Sequence, residues 1–260
     1  MSVRVRIAAS CVALSLSAAA KPSDFFVFYS GNFSHLPAVE GMRRDFPTFA
    51  RLGFTGVVLQ SDMQYAWLHP GAFTNRIGEI AALCRRHNLK LIPAIWSIGY
   101  GAMQQADPNL AEGLPVFDMA HIFGRCVTAM QRAIRRYSKD APIYMWGDQL
   151  DPWANGRKQV AMCPTSFEGA ADLVPKDIIV MHWGNRIPEV FALLGEKGFD
   201  FACSRCFDGE WSALPENQVR AAELCRSNDR CKAVMYTTWN ADYREDKLCA
   251  FLKAFRGGGR

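Results

Sequence analysis

No stretch of this 260-residue chain is a convincing membrane span. The N-terminal apolar run "IAASCVALSLSAAA" (7–20) has 14 residues, against about 20 for a spanning helix. Low-complexity tracts and long linkers are missing after residue 24, so nothing suggests folded units tethered by flexible chain. No RNA- or DNA-binding motif occurs. The formal charge of +5 comes from arginines scattered through helix-like segments such as "CRRHN" (84–88) and "QRAIRRYSK" (131–139), which read as solvated helix faces, so no nucleic-acid partner is expected. Metal ligands are also scarce. "CSRC" (203–206) is a single Cys-x-x-Cys, without a second one or a His-x-His, so neither a metal nor a cofactor is expected.

What is present begins with the leader. "MSVRVR" is short and basic, the apolar run follows, small residues close it, and "KPSD" restores polarity. That order reads as a secretory signal peptide over 1–20, leaving a single domain over 21–260 with no integral membrane span. A secreted or periplasmic location follows as an expectation. The nine cysteines fit an oxidising compartment. "CRSNDRC" (225–231) suggests a local disulfide, Cys225–Cys231, and Cys203/Cys206 a rival redox reading.

Half the residues are hydrophobic, enough for a packed core. They are gathered into a rhythm. Apolar runs at 25–31, 54–62, 89–97, 142–148, 177–185, 199–208 and 233–242 alternate with helix-like stretches at 42–53, 75–88, 119–138, 186–198, 215–228 and 246–256. The runs are continuous rather than alternating, which predicts parallel strands covered on both faces. Strand–helix alternation over about 250 residues predicts an α/β fold, a (β/α)8 TIM barrel. Seven strands are plain. An eighth, in a compressed fourth unit, is expected in "GLPVFD" (113–118).

In such a barrel the C-terminal strand ends carry the chemistry. "PIYMWGDQLDP" (142–152) is the most telling of them, because an apolar strand opens there onto Trp146, Asp148 and Asp151. The other ends offer Asp62, Trp96, His182, Trp183, Asp208, Trp239 and Asp242, and Glu112 lies in the loop after the third strand. Tryptophan faces stack on the apolar face of a pyranose, and carboxylates accept its hydroxyl hydrogens or move protons, so a carbohydrate is the expected partner. Asp148, Asp62 and Glu112 are the candidate acid–base residues. Trp96, Trp146, Asp151, His182, Trp183, Asp208, Trp239 and Asp242 are the candidate sugar contacts. For Asp151, which precedes a proline, turn chemistry is the competing reading. For His182 it is a packed, hydrogen-bonded core histidine. Nothing in the chain fixes an oligomeric state.

On "DFPTFARLGFTGVVLQ" (45–60), "CRRHNLKLIPAI" (84–95), "PIYMWGDQL" (142–150), "DIIVMHWG" (177–184), "GFDFACS" (198–204) and "AVMYTTWNAD" (233–242), the chain resembles the family 20 glycoside hydrolases, the β-N-acetylhexosaminidase barrels. The resemblance implies a TIM barrel that hydrolyses amino-sugar glycans, with Trp183 and Trp239 walling the sugar pocket. The family's Asp-Glu pair after the fourth strand, whose glutamate is the general acid, has no counterpart between Gly101 and Lys139. Two expectations therefore stand side by side: a glycosidase with a relocated acid, or a non-catalytic carbohydrate-binding barrel.

Overall fold

The computed structural model describes residues 22–29, 36–61, 69–95, 119–154, 156, 167–184, 186–206 and 215–256. The strands are β1 (Asp24–Tyr29), β2 (Gly56–Ser61), β3 (Lys90–Ile95), β4 (Ile143–Trp146), β5 (Ile178–His182), β6 (Asp200–Cys206) and β7 (Cys231–Thr237). The helices are α1 (Leu36–Leu52), α2 (Pro70–Arg86), α3 (Met119–Tyr137), α4 (Ala170–Leu173), α5 (Ile187–Glu196), α6 (Pro215–Arg226) and α7 (Glu245–Arg256). Each of the seven apolar runs became a strand. Two helices start earlier than periodicity predicted. α2 begins on Pro70, whose fixed φ and absent N–H suit a first helical turn.

All described strands form one parallel sheet of order β3-β2-β1-β7-β6-β5-β4. Strands consecutive in the chain are neighbours except β3 and β4, and β1–β7 joins the first strand to the last, as in a barrel. The seam lies between β3 and β4, which share no ladder among the described residues. The α/β, TIM-barrel-like character expected from the sequence is present, but among the described residues the closed eight-stranded barrel is corrected to a seven-stranded half-barrel. The proposed eighth strand at 113–118 and the leader at 1–20 lie outside the described residues.

The sheet is strongly curled. β1 and β4 are four strand intervals apart, ~19 Å in a flat sheet at about 4.8 Å per interval. Yet the Phe26 and Tyr144 rings meet edge to face at 5.4 Å, and Phe28 meets Trp146 at 5.8 Å. Only a sheet rolled around its concave face brings these rings together. That face holds a small core of Phe26, Phe28, Val58, Met181, Ala202, Ala233 and Met235, with Tyr144 and Trp146 against it.

The convex face carries the larger core, under the helices. α7 buries Leu248, Phe251, Leu252 and Phe255, one stripe at i, i+3, i+4 and i+7. Phe251 stacks with Phe54 (5.9 Å) and meets Tyr236 edge-on (5.7 Å). Tyr29 stacks on Tyr243 at 4.8 Å and donates to Asp45 Oδ2 at 3.0 Å. The scattered arginines behave as solvated helix faces: Arg85, Arg86, Arg132 and Arg136 are exposed, while Arg135 pairs with Asp177 at 2.9 Å.

The cysteines depart from expectation. Cys203, Cys225 and Cys231 are buried free thiols, so the Cys225–Cys231 disulfide is not formed. Burial, with hydrogen bonds to Cys203 and Cys231, pushes the Cys225 thiol well up. "CSRC" runs along β6, where extended backbone puts positions 203 and 206 about 10 Å apart, beyond the Cα separation a disulfide tolerates. The Cys203/Cys206 redox reading therefore lacks its geometry.

Replacing Phe251 by Ala should destabilise the fold by about 3–5 kcal/mol, measured by urea denaturation. In the native protein Cys249, which is exposed, should be alkylated readily. Cys84, Cys203, Cys225 and Cys231 should react only in denaturant, as mass spectrometry of the labelled peptides would show.

Candidate functional site

The C-terminal strand ends gather an aromatic cluster on the concave side. Trp146 ends β4 and Trp239 follows β7, and their rings lie 6.3 Å apart at 32°. Phe28 sits beneath both, edge-on to Trp146 at 5.8 Å and to Trp239 at 5.0 Å. Phe28 is fully buried, whereas Trp239 is 45% exposed, so the cluster has a dry floor and an open upper ring. Trp183, directly after β5, is 37% exposed.

The backbone holds these rings in place. Gly147 follows Trp146 and donates to Met181 O at 2.9 Å. A Cβ there would lie 2.5 Å from Val180 Cγ1, so only glycine lets the chain leave β4 so close to β5 and lead into Asp148. Trp239 rides on a tied loop. Asp242 N donates to Thr238 Oγ1 at 3.0 Å, and Tyr236 Oη donates to Asp242 O at 2.7 Å. Ala241 adopts φ +54° within this loop, a left-handed conformation costing a non-glycine residue about 1–2 kcal/mol.

The predicted residues divide. Trp146 and Trp239 come together as expected. Asp148 is half-buried just past Gly147, close enough to Asp151 for its charge to oppose ionisation there. Asp62, Trp96, Glu112 and Asp208 lie outside the described residues. Three others, His182, Asp151 and Asp242, are engaged by neighbouring groups of the protein itself.

His182 is 2% exposed and packs edge-on against Phe191 of α5 at 6.2 Å. Its strand neighbours explain this. Ile179 and Met181 belong to the concave core and Ile178 and Val180 to the convex one, so His182 falls on the convex side, under the helices. Asp151 is 3% exposed and organises its own turn. Its Oδ1 accepts from Trp153 N at 2.8 Å, and its carbonyl accepts from Ala154 N and Gly156 N at 3.0 Å each. Its Oδ2 stands 3.7 Å from His182 Nδ1, close but beyond a hydrogen bond. These two are a buried pair behind the mouth. Asp242 pairs with Lys247 and, at 3.0 Å, with Arg244; Lys247 foremost, and then Arg244, hold its carboxyl below the usual range against the effect of burial. It organises the entry to α7.

Two residues on the concave wall escaped sequence reasoning, Ser204 of β6 and Thr237 of β7. They share the faces of Ala202 and of Ala233 and Met235, all concave-core residues. The available signal was a hydroxyl embedded in each of two buried apolar runs, "FDFACS" and "AVMYTT". Among the described residues no group of three or more His, Cys, Asp or Glu is placed to hold a metal ion. None of the described helices is long and apolar enough to cross a membrane.

Taken together, fold and site define a parallel α/β half-barrel with tryptophans at its C-terminal mouth. Comparison with known proteins agrees at the level of fold. The chain is similar to the crystal structure of the spore coat polysaccharide biosynthesis protein SpsE from Bacillus subtilis. The TM-score is 0.53 and the identity 14%, with 91% of this chain and 68% of that one covered. No family model matches, and no curated protein matches. The resemblance to the family 20 glycoside hydrolases is thereby corrected: no family model supports it, and the structural likeness is to a polysaccharide biosynthesis protein. Glycoside hydrolysis, which rested on that resemblance, is withdrawn with it, and the comparisons bring nothing in favour of a signal peptide.

The Asp151 site makes a pH prediction. Burial raises its carboxyl above the ordinary value near 3.8, outweighing the hydrogen bonds from Trp153 and Ala154. A raised carboxyl pKa favours the folded state below the ordinary value and loses that contribution as pH rises through the folded value. The stability of the native chain relative to Asp151→Asn should therefore fall between about pH 3.5 and neutrality, read from urea denaturation midpoints.

Proposed function

We propose that this protein binds a sugar at the C-terminal mouth of its half-barrel and serves the synthesis of a polysaccharide rather than its breakdown. The observation that carries the reading is the Trp146–Trp239 pair over Phe28. It is an indole platform with one ring 45% exposed, built from the end of the edge strand β4 and the loop after the central strand β7. Such a platform suits the C–H face of a pyranose, because the ring surface is apolar and its π face attracts the polarised C–H edges. Asp148, half-buried beside the platform's strand end, is placed by sequence to accept a sugar hydroxyl hydrogen. The polysaccharide context is supported by the fold shared with SpsE, a polysaccharide biosynthesis protein.

Intrinsic tryptophan fluorescence, titrated with free monosaccharides, tests the reading. The native chain should show saturable quenching or enhancement with at least one of glucose, mannose or N-acetylglucosamine. Trp239→Ala should weaken that affinity about tenfold or more, equivalent to about 1.4 kcal/mol, with little loss of stability because the ring is half exposed. No aryl β-N-acetylglucosaminide should be hydrolysed. Equal affinity in the native and Trp239→Ala chains would remove the platform from the proposal.

A further inference from the structure

Two buried hydroxyls lie on the concave wall below the tryptophan platform. Ser204 is 0% and Thr237 1% exposed, and neither Ser204 Oγ nor Thr237 Oγ1 has a hydrogen-bond partner among the described residues. Native proteins pair the great majority of such groups, because a buried hydroxyl without a partner forfeits the hydrogen bonds it made in water. One orphan invites a local explanation. Here two stand on adjacent strands, on the same side of the sheet.

The register fixes their relation. Ser204 pairs with Met235, and Cys206 with Thr237, so the two positions are offset by two residues, ~7 Å along the strands. Met235 pairs in turn with Phe26 of β1, and the β1–β7 ladder runs on to Val27–Tyr236. Thr237 therefore stands beside the end of that ladder, next to Phe28, the ring under both tryptophans. Ser204 stands one inward-facing step deeper. On β6 and β7 themselves, the concave-core residues Ala202 and Ala233 offer no polar side-chain group, and Met235 only its soft, weak sulfur as acceptor.

We propose that Ser204 and Thr237 form a hydroxyl-reading subsite, which binds the hydroxyl edge of the sugar whose C–H face rests on Trp146 and Trp239. This rests on the sugar-binding reading and narrows it to a ligand class. A serine or threonine hydroxyl both donates and accepts, as an alcohol does, so each can exchange one donated and one accepted bond with a sugar hydroxyl. The bound group is a neutral hydroxyl or hydroxymethyl, and the two orphans acquire their partners only in the complex.

Discrimination by the site follows directly. A pocket built to hydrogen-bond a hydroxyl rejects the analogue that lacks it, because its own polar groups are then left unpaired. The test uses native protein, Ser204→Ala, Thr237→Val and the double variant, all near-isosteric. Each is titrated calorimetrically with glucose, mannose, N-acetylglucosamine and the monodeoxy analogues of whichever binds. Each is also unfolded in urea without sugar. The native chain should prefer the parent sugar over at least one deoxy analogue by about tenfold or more. The double variant should bind the two within about twofold of each other, the residual expected once that hydrogen bond is gone. Without sugar, the variants should be as stable as the native chain or more so, since they delete unpaired groups.

Three outcomes overturn the subsite. If native binding discriminates and the double variant discriminates equally, the selecting groups lie elsewhere and the platform alone survives. If the variants lose stability without sugar while affinity is unchanged, the hydroxyls have partners inside the free protein, ordered water included. If the native chain binds none of the sugars, the sugar-binding reading and the subsite fall together.

Discussion

The meeting of β1 with β4 across the concave face is the contact on which the rest depends. Phe26 on Tyr144 and Phe28 on Trp146 turn a flat parallel sheet into a half-barrel. The packing is modest in area, since the concave core has few members beside the aromatic-rich layer under the helices. Its effect on shape is large. It sets the radius of the roll and places Trp146 opposite Trp239. It also leaves the small residues Ala202 and Ala233 facing inward, where bulkier ones would push the walls apart. The helices stabilise the fold, and the interior rings determine its curvature.

The mouth follows from that curvature together with two local devices. Gly147 allows a close passage against β5 that no side chain would permit, and the Thr238–Asp242 loop accepts the cost of a left-handed alanine to keep Trp239 in place. Behind them, Asp151 and His182 form a buried polar pair between the turn after β4 and the end of β5. It braces the mouth without opening onto it.

The strands were readable because each is a continuous apolar run, the mark of a strand buried on both faces. The same continuity hid the faces. Alternation would have separated concave from convex residues, and without it His182 and Trp183 read alike as strand-end candidates although one lies under the helices and the other stands exposed. Ser204 and Thr237 were passed over because a hydroxyl at the end of an apolar run looks like the strand running out. For Asp151 and Asp242 the partners that engage them, such as the Trp153 amide, become evident only once the turns are formed. The hexosaminidase resemblance failed for a related reason. Strand rhythm and strand-end tryptophans express the architecture of barrels, which many chemistries share.

The strand order also bears on how the chain reaches this state. Five ladders join strands consecutive in sequence, and β1–β7 alone pairs residues some two hundred positions apart, Asp24 with Ala233. β1–β3 and β4–β7 are thus two locally connected sets whose pairing can precede the long closure, which carries the largest chain-entropy penalty. Phe28 belongs to the first set, and Trp146 and Trp239 to the second. The two indoles and the ring beneath them therefore come from different sets, and the complete aromatic cluster comes into existence only at the step in which they dock.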